Sequence, residues 1–371
     1  MDRPEMPLVW PEDAGPTSVE RAIGEIRAGR PVAIVDGLSV VLAFGVEALE
    51  PGAAAALHSL SAGRARLVLP APRLRRMGCD RGSAGSLALP KVDIARIETL
   101  ALRIDGVIDA PVAPALPIDL LALELAALSL VLPAVVVAPV ERIPAGIVAV
   151  DAGALGGYRG ATAGRMRIIS RAPVPLEGAP ETEFVVFRGG EGLRDQIAIV
   201  IGKPDLSQPV SVRLHSACLT GDLFGSLKCD CGDQLRGTVQ FMAHNGGGVL
   251  LYLDQEGRGN GIANKIRAYR LQSQGWDTYD ADEVLGFGLD QRGFDFAATM
   301  LKQLGIGTVA VMTNNPQKIA ALERAGLAVV EARRVHGRAT AENVVYLASK
   351  RDRAGHFIDL EEMAAHTPVQ D

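Results

Sequence analysis

The alternation of apolar and polar residues divides the chain into two halves of different texture. In the first half, Ser18–Arg27 (SVERAIGEIR) has helical spacing, with Ser18 placed as an N-cap and Gly29 placed to stop the helix. Pro31–Asp36 (PVAIVD), Leu67–Leu69 and Ala134–Val137 read as short buried strands, and Leu120–Leu130 as a strongly apolar helix. Elements that alternate in this way predict an α/β domain. A stretch dense in Pro and Gly, Arg171–Thr182 (RAPVPLEGAPET), then reads as a linker.

Beyond the linker the pattern is cleaner. Strands are predicted at Glu183–Phe187, Ile197–Ile201, Val210–His215, Gly248–Leu253, Thr308–Met312 and Leu327–Val330. Helices are predicted at Asp233–His244, Asn264–Gln274, Phe294–Leu304 and Gln317–Ala325, the last with Gly326 as its C-cap. The expected organisation is therefore two α/β domains with mixed (α+β) sheets. The first spans residues 1–172, the linker 173–182, the second domain 183–364, and a frayed polar tail 365–371.

Composition narrows the class. The 371 residues are 48% hydrophobic and 22% charged, enough apolar material to bury a core and too much for a disordered chain. Acids outnumber bases 43 to 38, so no global basic field exists to hold a nucleic-acid backbone. The longest uncharged apolar run, Leu125–Val140, is interrupted by Pro133 and Pro139 and falls short of the roughly 20 residues of a membrane span. The opening MDRPEMPLVWPED lacks the basic and apolar regions of a secretory signal. A cytoplasmic protein without nucleic-acid or membrane partners is expected.

Three of the four cysteines, Cys218, Cys229 and Cys231, fall in one string, HSACLTGDLFGSLKCDCGDQL, on a predicted strand-to-helix loop. Thiolates at this spacing can converge on one soft cation. Three ligands leave one coordination position for water, as in hydrolytic zinc sites. A closed structural site completed by His215, and three merely buried thiols, are the competing readings. Cys79 stands alone and reads as an idle thiol. Two further loops lie between a predicted strand and helix. In Asp254–Gly261 (DQEGRGNG) the glycines allow close backbone approach to a ligand, and Arg258, Lys265 and Arg267 supply cations suited to phosphate. In Thr313–Lys318 (TNNPQK) Thr313 and Lys318 are placed to hold an anion at a helix start, with an ordinary N-capping turn as the competing reading. Asp290 and Arg292, in GFGLDQRGF, form a third polar patch.

Together these strings carry a family resemblance. RLHSACLTGD, SLKCDCG, QEGRG, NKIRAY, GWDT, LGFGLDQR and TNNPQK occur, in order, between about Val210 and His356, and this stretch resembles GTP cyclohydrolase II. The resemblance implies a zinc- and magnesium-dependent hydrolysis of GTP that opens the first step of riboflavin synthesis. The products are 2,5-diamino-6-ribosylamino-4(3H)-pyrimidinone 5′-phosphate, formate and pyrophosphate. It implies Cys218, Cys229 and Cys231 as zinc ligands, with a zinc-activated water attacking C8 of the base. It implies nucleotide contacts from Arg213, Leu214, His215, Ser216, Ala217, Gln234, Glu256, Gly257, Arg258, Thr278, Thr313 and Lys318. Tyr269 would assist the ring chemistry, Asp290 accept a proton, and Arg292 act at the α-phosphate. A guanidinium stays protonated at neutral pH, so clamping that phosphate is easier for Arg292 than attacking it. A homodimer is expected from the same resemblance.

The chain departs from the family pattern at several positions. Ala217 stands where glutamate is usual, Asn260 where an aliphatic residue is usual, and Gln291 and Gly293 where acids are common. Asp254 adds a carboxylate before QEGR. Loss of an acceptor beside a purine is felt strongly in such sites, so a paralogue acting on another nucleotide or base, as in uracil catabolism, is the alternative. A non-catalytic nucleotide-binding protein is a further one. In the first half, SVERAIGEIRAGRPVAIVDG resembles the start of dihydroxybutanone phosphate synthase. That enzyme needs a carboxylate-rich loop after the strand, whereas here Asp36 is followed by no acid until Glu47. A degenerate, non-catalytic domain is expected, serving as a scaffold that packs on the second domain or supports dimerisation; an unrelated α/β domain is the alternative.

Overall fold

The computed structural model describes residues 14–190, 193–288, 290, 292–335, 337–338, 340, 343–355 and 357–358. The opening 13 residues, Gln291 and the tail from 365 lie outside the described residues. The first half contains α1 (Ala14–Arg27), β1 (Val32–Asp36), β2 (Ser39–Gly45), α2 (Pro51–Ser61), β3 (Ala65–Leu69), α3 (Ala71–Arg76), β4 (Gly85–Leu89) and α4 (Ile94–Ala101). It continues through β5 (Ala113–Pro114), α5 (Pro117–Leu128), β6 (Val135–Pro139), β7 (Val148–Asp151) and α6 (Ala152–Ala163). The seven strands form a mixed sheet in the order β5-β4-β3-β6-β2-β1-β7. β6 sits at its centre, and its Val135–Ala138 run is buried throughout, as an interior strand covered on both faces requires.

The second half begins with β8 (Arg167–Pro173), β9 (Thr182–Arg188), β10 (Gln196–Ile201), β11 (Val210–Ser216), α7 (Leu219–Asp222), α8 (Cys231–His244) and β12 (Gly248–Leu253). It ends with α9 (Ile262–Gln272), α10 (Thr278–Val284), α11 (Asp295–Gln303), β13 (Thr308–Met312), α12 (Pro316–Arg324), β14 (Ala328–Arg333) and α13 (Val344–Ala354). Its sheet runs β14-β13-β11-β12-β10-β9-β8. β12, β11, β13 and β14 are mutually parallel, and β10, β9 and β8 continue the sheet antiparallel. The connection after β11 runs to β12 on one side, and the connection after β13 runs to β14 on the other. Such a switch opens a crevice at the carboxyl ends of the strands.

Two sequence expectations are corrected. The Pro- and Gly-rich stretch is no linker between bodies: β8 pairs antiparallel with β9, and the residues between them close a hairpin inside the second sheet. Gly178, at φ +74°, supplies the left-handed turn that made the stretch look like a break. The change from one sheet to the other falls earlier, between α6 and β8. Ser18 does not cap α1, which already runs from Ala14; its hydroxyl donates to the Gly15 carbonyl at 2.7 Å. Cys79 packs at the margin of the first sheet's core.

Candidate functional site

The carboxyl ends of β11, β12 and β13 are where the chemistry-bearing loops meet. Cys218 follows β11, while Cys229 and Cys231 return at the start of α8, and the three sulfurs lie within 4.8 Å of one another. Cys218 Sγ and Cys229 Sγ are 3.6 Å apart. Gly221 closes the space beside them: a Cβ there would stand 2.7 Å from Cys229 Sγ and 3.0 Å from Cys218 Sγ. A converging set of soft sulfur donors, with the neighbouring backbone stripped to glycine, fits a thiophilic cation.

The loop is held by a buried acid. Asp222 accepts from the Cys218 backbone N–H at 2.9 Å and from the Tyr252 hydroxyl at 2.9 Å. His215 Nε2 lies 3.1 Å from the same carboxylate, and its ring stacks on Tyr252 at 5.6 Å. Burial pushes the imidazole pKa down, against the pull of Asp222. His215 is therefore engaged by Asp222 and takes no part in the sulfur cluster, which answers the four-ligand alternative. Asp222 and Tyr252 escaped the sequence reading; the only signal was the position of Asp222 four residues after Cys218.

Lys265, from α9, reaches into the cluster. Its Nζ is 3.1 Å from Cys218 Sγ and 2.8 Å from Glu256 Oε1. Burial works against the ammonium, but the Cys218 sulfur and Glu256 more than offset it and raise its pKa. Hydrogen bonding from Cys229 and Cys231, helped by Lys265, holds the Cys218 thiol well below its ordinary range. The same coupling pushes Cys229 up to about 11. Tyr269, one turn beyond Lys265, is raised by burial and so keeps its phenolic proton at neutral pH. Lys228 Nζ lies 5.0 Å from the centre of its ring.

The same cleft is lined by a cluster of cations. Arg213 is buried, donates to Gln234 Oε1 at 2.5 Å and to the Met312 carbonyl at 3.2 Å, and is lowered by burial to about 10. Gly257 and Arg258 both adopt left-handed backbone, at φ +63° and +61°, which turns the Arg258 guanidinium onto Asp282 and over the Tyr279 ring. Arg292 forms a fork with Asp290, at 2.8 and 2.5 Å, and also donates to Ser216 Oγ at 3.1 Å. Burial raises the Asp290 pKa, but Arg292 outweighs it and the carboxyl ends below its usual range. Lys318, in the first turn of α12, donates to the Leu214 carbonyl at 2.6 Å, and Thr313 Oγ1 accepts from the Asn315 N–H at 3.0 Å.

The predicted residues converge with few exceptions. Arg213, His215, Ser216, Ala217, Gln234, Glu256, Gly257, Arg258, Tyr269, Thr278, Asp290, Arg292, Thr313 and Lys318 all line one cleft with the three cysteines. Leu214 is the exception among them: strand alternation turns its side chain into the core, leaving only its carbonyl for Lys318. Arg267 is a correction. It lies two residues from Lys265 on α9, hence on another face, and pairs with Glu47 of the first half instead of facing the cleft. Of the departures from the family pattern, Ala217 lines the cleft, whereas Asn260 is buried outside it and Asp254 is exposed. Gly293 contributes only its carbonyl, to Gln255 Nε2 at 2.6 Å.

A family model described as GTP cyclohydrolase II matches residues 167–334. The GTP cyclohydrolase-2 of Xylella fastidiosa (strain Temecula1) is 42% identical over 352 residues, covering 93% of this chain and 88% of its own. The chain belongs to the GTP cyclohydrolase II family. The Azospirillum brasilense GTP cyclohydrolase-2 is 40% identical over 369 residues, covering 93% of this chain and 95% of its own, so the likeness takes in the first half as well. The riboflavin biosynthesis protein RibBA of Thermotoga maritima is 49% identical, but over 170 residues, 46% of this chain and 42% of its own. The family model starts at the first residue of β8, where the second sheet begins.

Proposed function

We propose that this member of the GTP cyclohydrolase II family hydrolyses GTP, as first step of riboflavin synthesis, to the diamino-ribosylamino-pyrimidinone 5′-phosphate, formate and pyrophosphate. The observation that carries the reading is the placement of three converging thiols in one cleft with Arg213, Arg258, Arg292 and Lys318. A zinc ion held by Cys218, Cys229 and Cys231 would supply Lewis acidity for activating water. The chain's own groups do the rest. Tyr269 carries a proton beside the sulfurs. Asp290 is ionised and takes the proton-accepting role once substrate draws Arg292 away from its carboxylate. Arg292, fixed by Asp290, clamps the α-phosphate, with magnesium shielding the pyrophosphate that leaves.

The Cys218 ligand is oriented by Asp222, and Lys265 offsets part of the charge of three thiolates. Ala217 supports the second reading, a paralogue with another base, because it withholds a carboxylate from the cleft at a position where the family usually has one. The first half, 14–166, is read as a degenerate dihydroxybutanone phosphate synthase-like scaffold; Glu47, its first acid after Asp36, is spent on Arg267. No described helix is long and apolar enough to cross a membrane, and a cytoplasmic homodimer is the setting proposed. Leu219, Leu223, Phe224 and Leu227 support the dimer by forming an exposed apolar loop beside the cysteines.

The test is to incubate zinc-loaded protein with GTP and magnesium and to measure formate and pyrophosphate together. Release of both in equal amounts is expected. No release from protein with zinc bound would sink the GTP reading and send the same assay to other nucleotides.

A further inference from the structure

Arg73, on α3 of the first half, is only 1% exposed although it carries a full charge. Burial lowers its pKa to about 10, so it remains a cation at neutral pH. Its hydrogen-bond partners are four carbonyl oxygens. Nε donates to Leu100 at 2.8 Å, and the terminal nitrogens donate to Thr99 at 3.4 Å, Arg103 at 2.6 Å and Val284 at 2.8 Å. Three of these carbonyls belong to the end of α4 and the residues after it. The fourth is the last residue of α10, in the other half of the chain. Helix C-termini present unpaired carbonyls and the negative end of the helix dipole, so a cation there is favourable. A planar guanidinium serves two helix ends at once in a way that a single ammonium does not.

The contact is close-packed around that bond. Gly286, just beyond α10 at φ +87°, lies so near the first half that a Cβ would stand 3.0 Å from Pro70 and 3.2 Å from Pro133. The Arg76 guanidinium lies 4.1 Å above the Trp276 ring, before α10. Leu132 of the first half packs in one apolar cluster with Val284 and Leu285. On its other side, α10 offers Thr278, Tyr279 and Asp282 to the cleft, and Asp282 holds Arg258.

We propose that Arg73 is a positioning residue for the nucleotide cleft: through it the first half fixes the end of α10, and with it the stance of Thr278, Asp282 and Arg258. The first half then serves the site without contributing a group to the chemistry. The kinetic part of the test rests on the GTP reading; the exchange part does not.

Full-length Arg73→Met and Arg73→Lys are compared with the wild type by hydrogen exchange, zinc content and steady-state kinetics on GTP. Amides of α10 are expected to exchange faster in both variants while those of β11 and β12 hold. KM for GTP is expected to rise about tenfold, with kcat and zinc content within about twofold, the pattern of lost binding without lost chemistry. If the arginine variants do not fold, Gly286→Ala presses on the same contact from the α10 side and is expected to raise KM likewise. A folded variant with wild-type KM, or full rescue by lysine, would overturn the proposal. Faster α10 exchange in a protein whose wild type does not turn over GTP would uphold the clamp and sink only the GTP reading. Unchanged exchange would sink the clamp.

Discussion

At the scale of single residues, the site depends on atoms that are absent as much as on those present. Gly221 donates no side chain to the sulfur cluster, yet its missing Cβ is what leaves room beside Cys218 and Cys229. Its carbonyl side is equally confined by α8, where Gly232 approaches it: a Cβ at 232 would stand 2.2 Å from the Gly221 oxygen. Gly221→Ala is therefore expected to cost the metal without removing a ligand. The variant should fold and purify with zinc well below one per chain, and formate release should fall in proportion to the zinc lost. Elemental analysis beside the formate assay checks this. Full zinc occupancy with wild-type turnover would show that the sulfurs can spread, and would remove the close fit from the argument.

The elements of the site were legible in the sequence where a strand ended in a loop rich in Gly, Cys or Asn. β12 and β13 have the predicted bounds, and α8, α9 and α12 differ from expectation by two residues or fewer at each end. β12 and β13 are short apolar runs, and α12 has a local cap in Asn315, which accepts from the Gln317 N–H. What was not legible depends on distant partners. Arg267 looks like a phosphate cation from its nearness in sequence to Arg258 and Lys265; only the fold shows that it faces Glu47. Asp222 gained its role from His215 and Tyr252, the latter 30 residues away. α10 went unpredicted as a helix, although Asp277 caps it by accepting from Tyr279 and Asp280 N–H groups, because seven residues carry too little periodicity.

The turn of the β8–β9 hairpin resembles a linker in sequence for a related reason. Pro and Gly mark a turn equally well inside a sheet and between domains. The two cases separate under cleavage. A protease site inserted at Glu177–Gly178, in the turn, should be cut readily, since both residues are exposed beyond the Leu176–Ala179 bridge that closes the hairpin. The nicked halves should still co-elute, because β8 stays paired with β9 across the cut. Size-exclusion chromatography of nicked protein checks this, and separation into two fragments would restore the linker.

At the scale of the molecule, one surface remains to be accounted for. Within the nine residues that follow Cys218, Leu223 is 72% and Phe224 77% exposed, with Leu219 and Leu227 also largely open. Single exposed apolar residues are ordinary, but four in one short loop are costly to leave in water. The loop also carries the backbone between Cys218 and Cys229, so whatever covers it would steady the three cysteines. A second copy of the chain is the proposed cover, and two-fold symmetry would bring the two loops to a shared face. Phe224→Asp places a charge there without touching the described core. The wild type is expected to sediment as a dimer and the variant as a monomer, with weaker zinc retention because its ligand loop is left open. A wild type that sediments as a monomer at micromolar concentration would exclude the dimer. A variant that stays dimeric would move the interface to another face, and the loop's exposure would then bear on substrate entry beside the sulfurs.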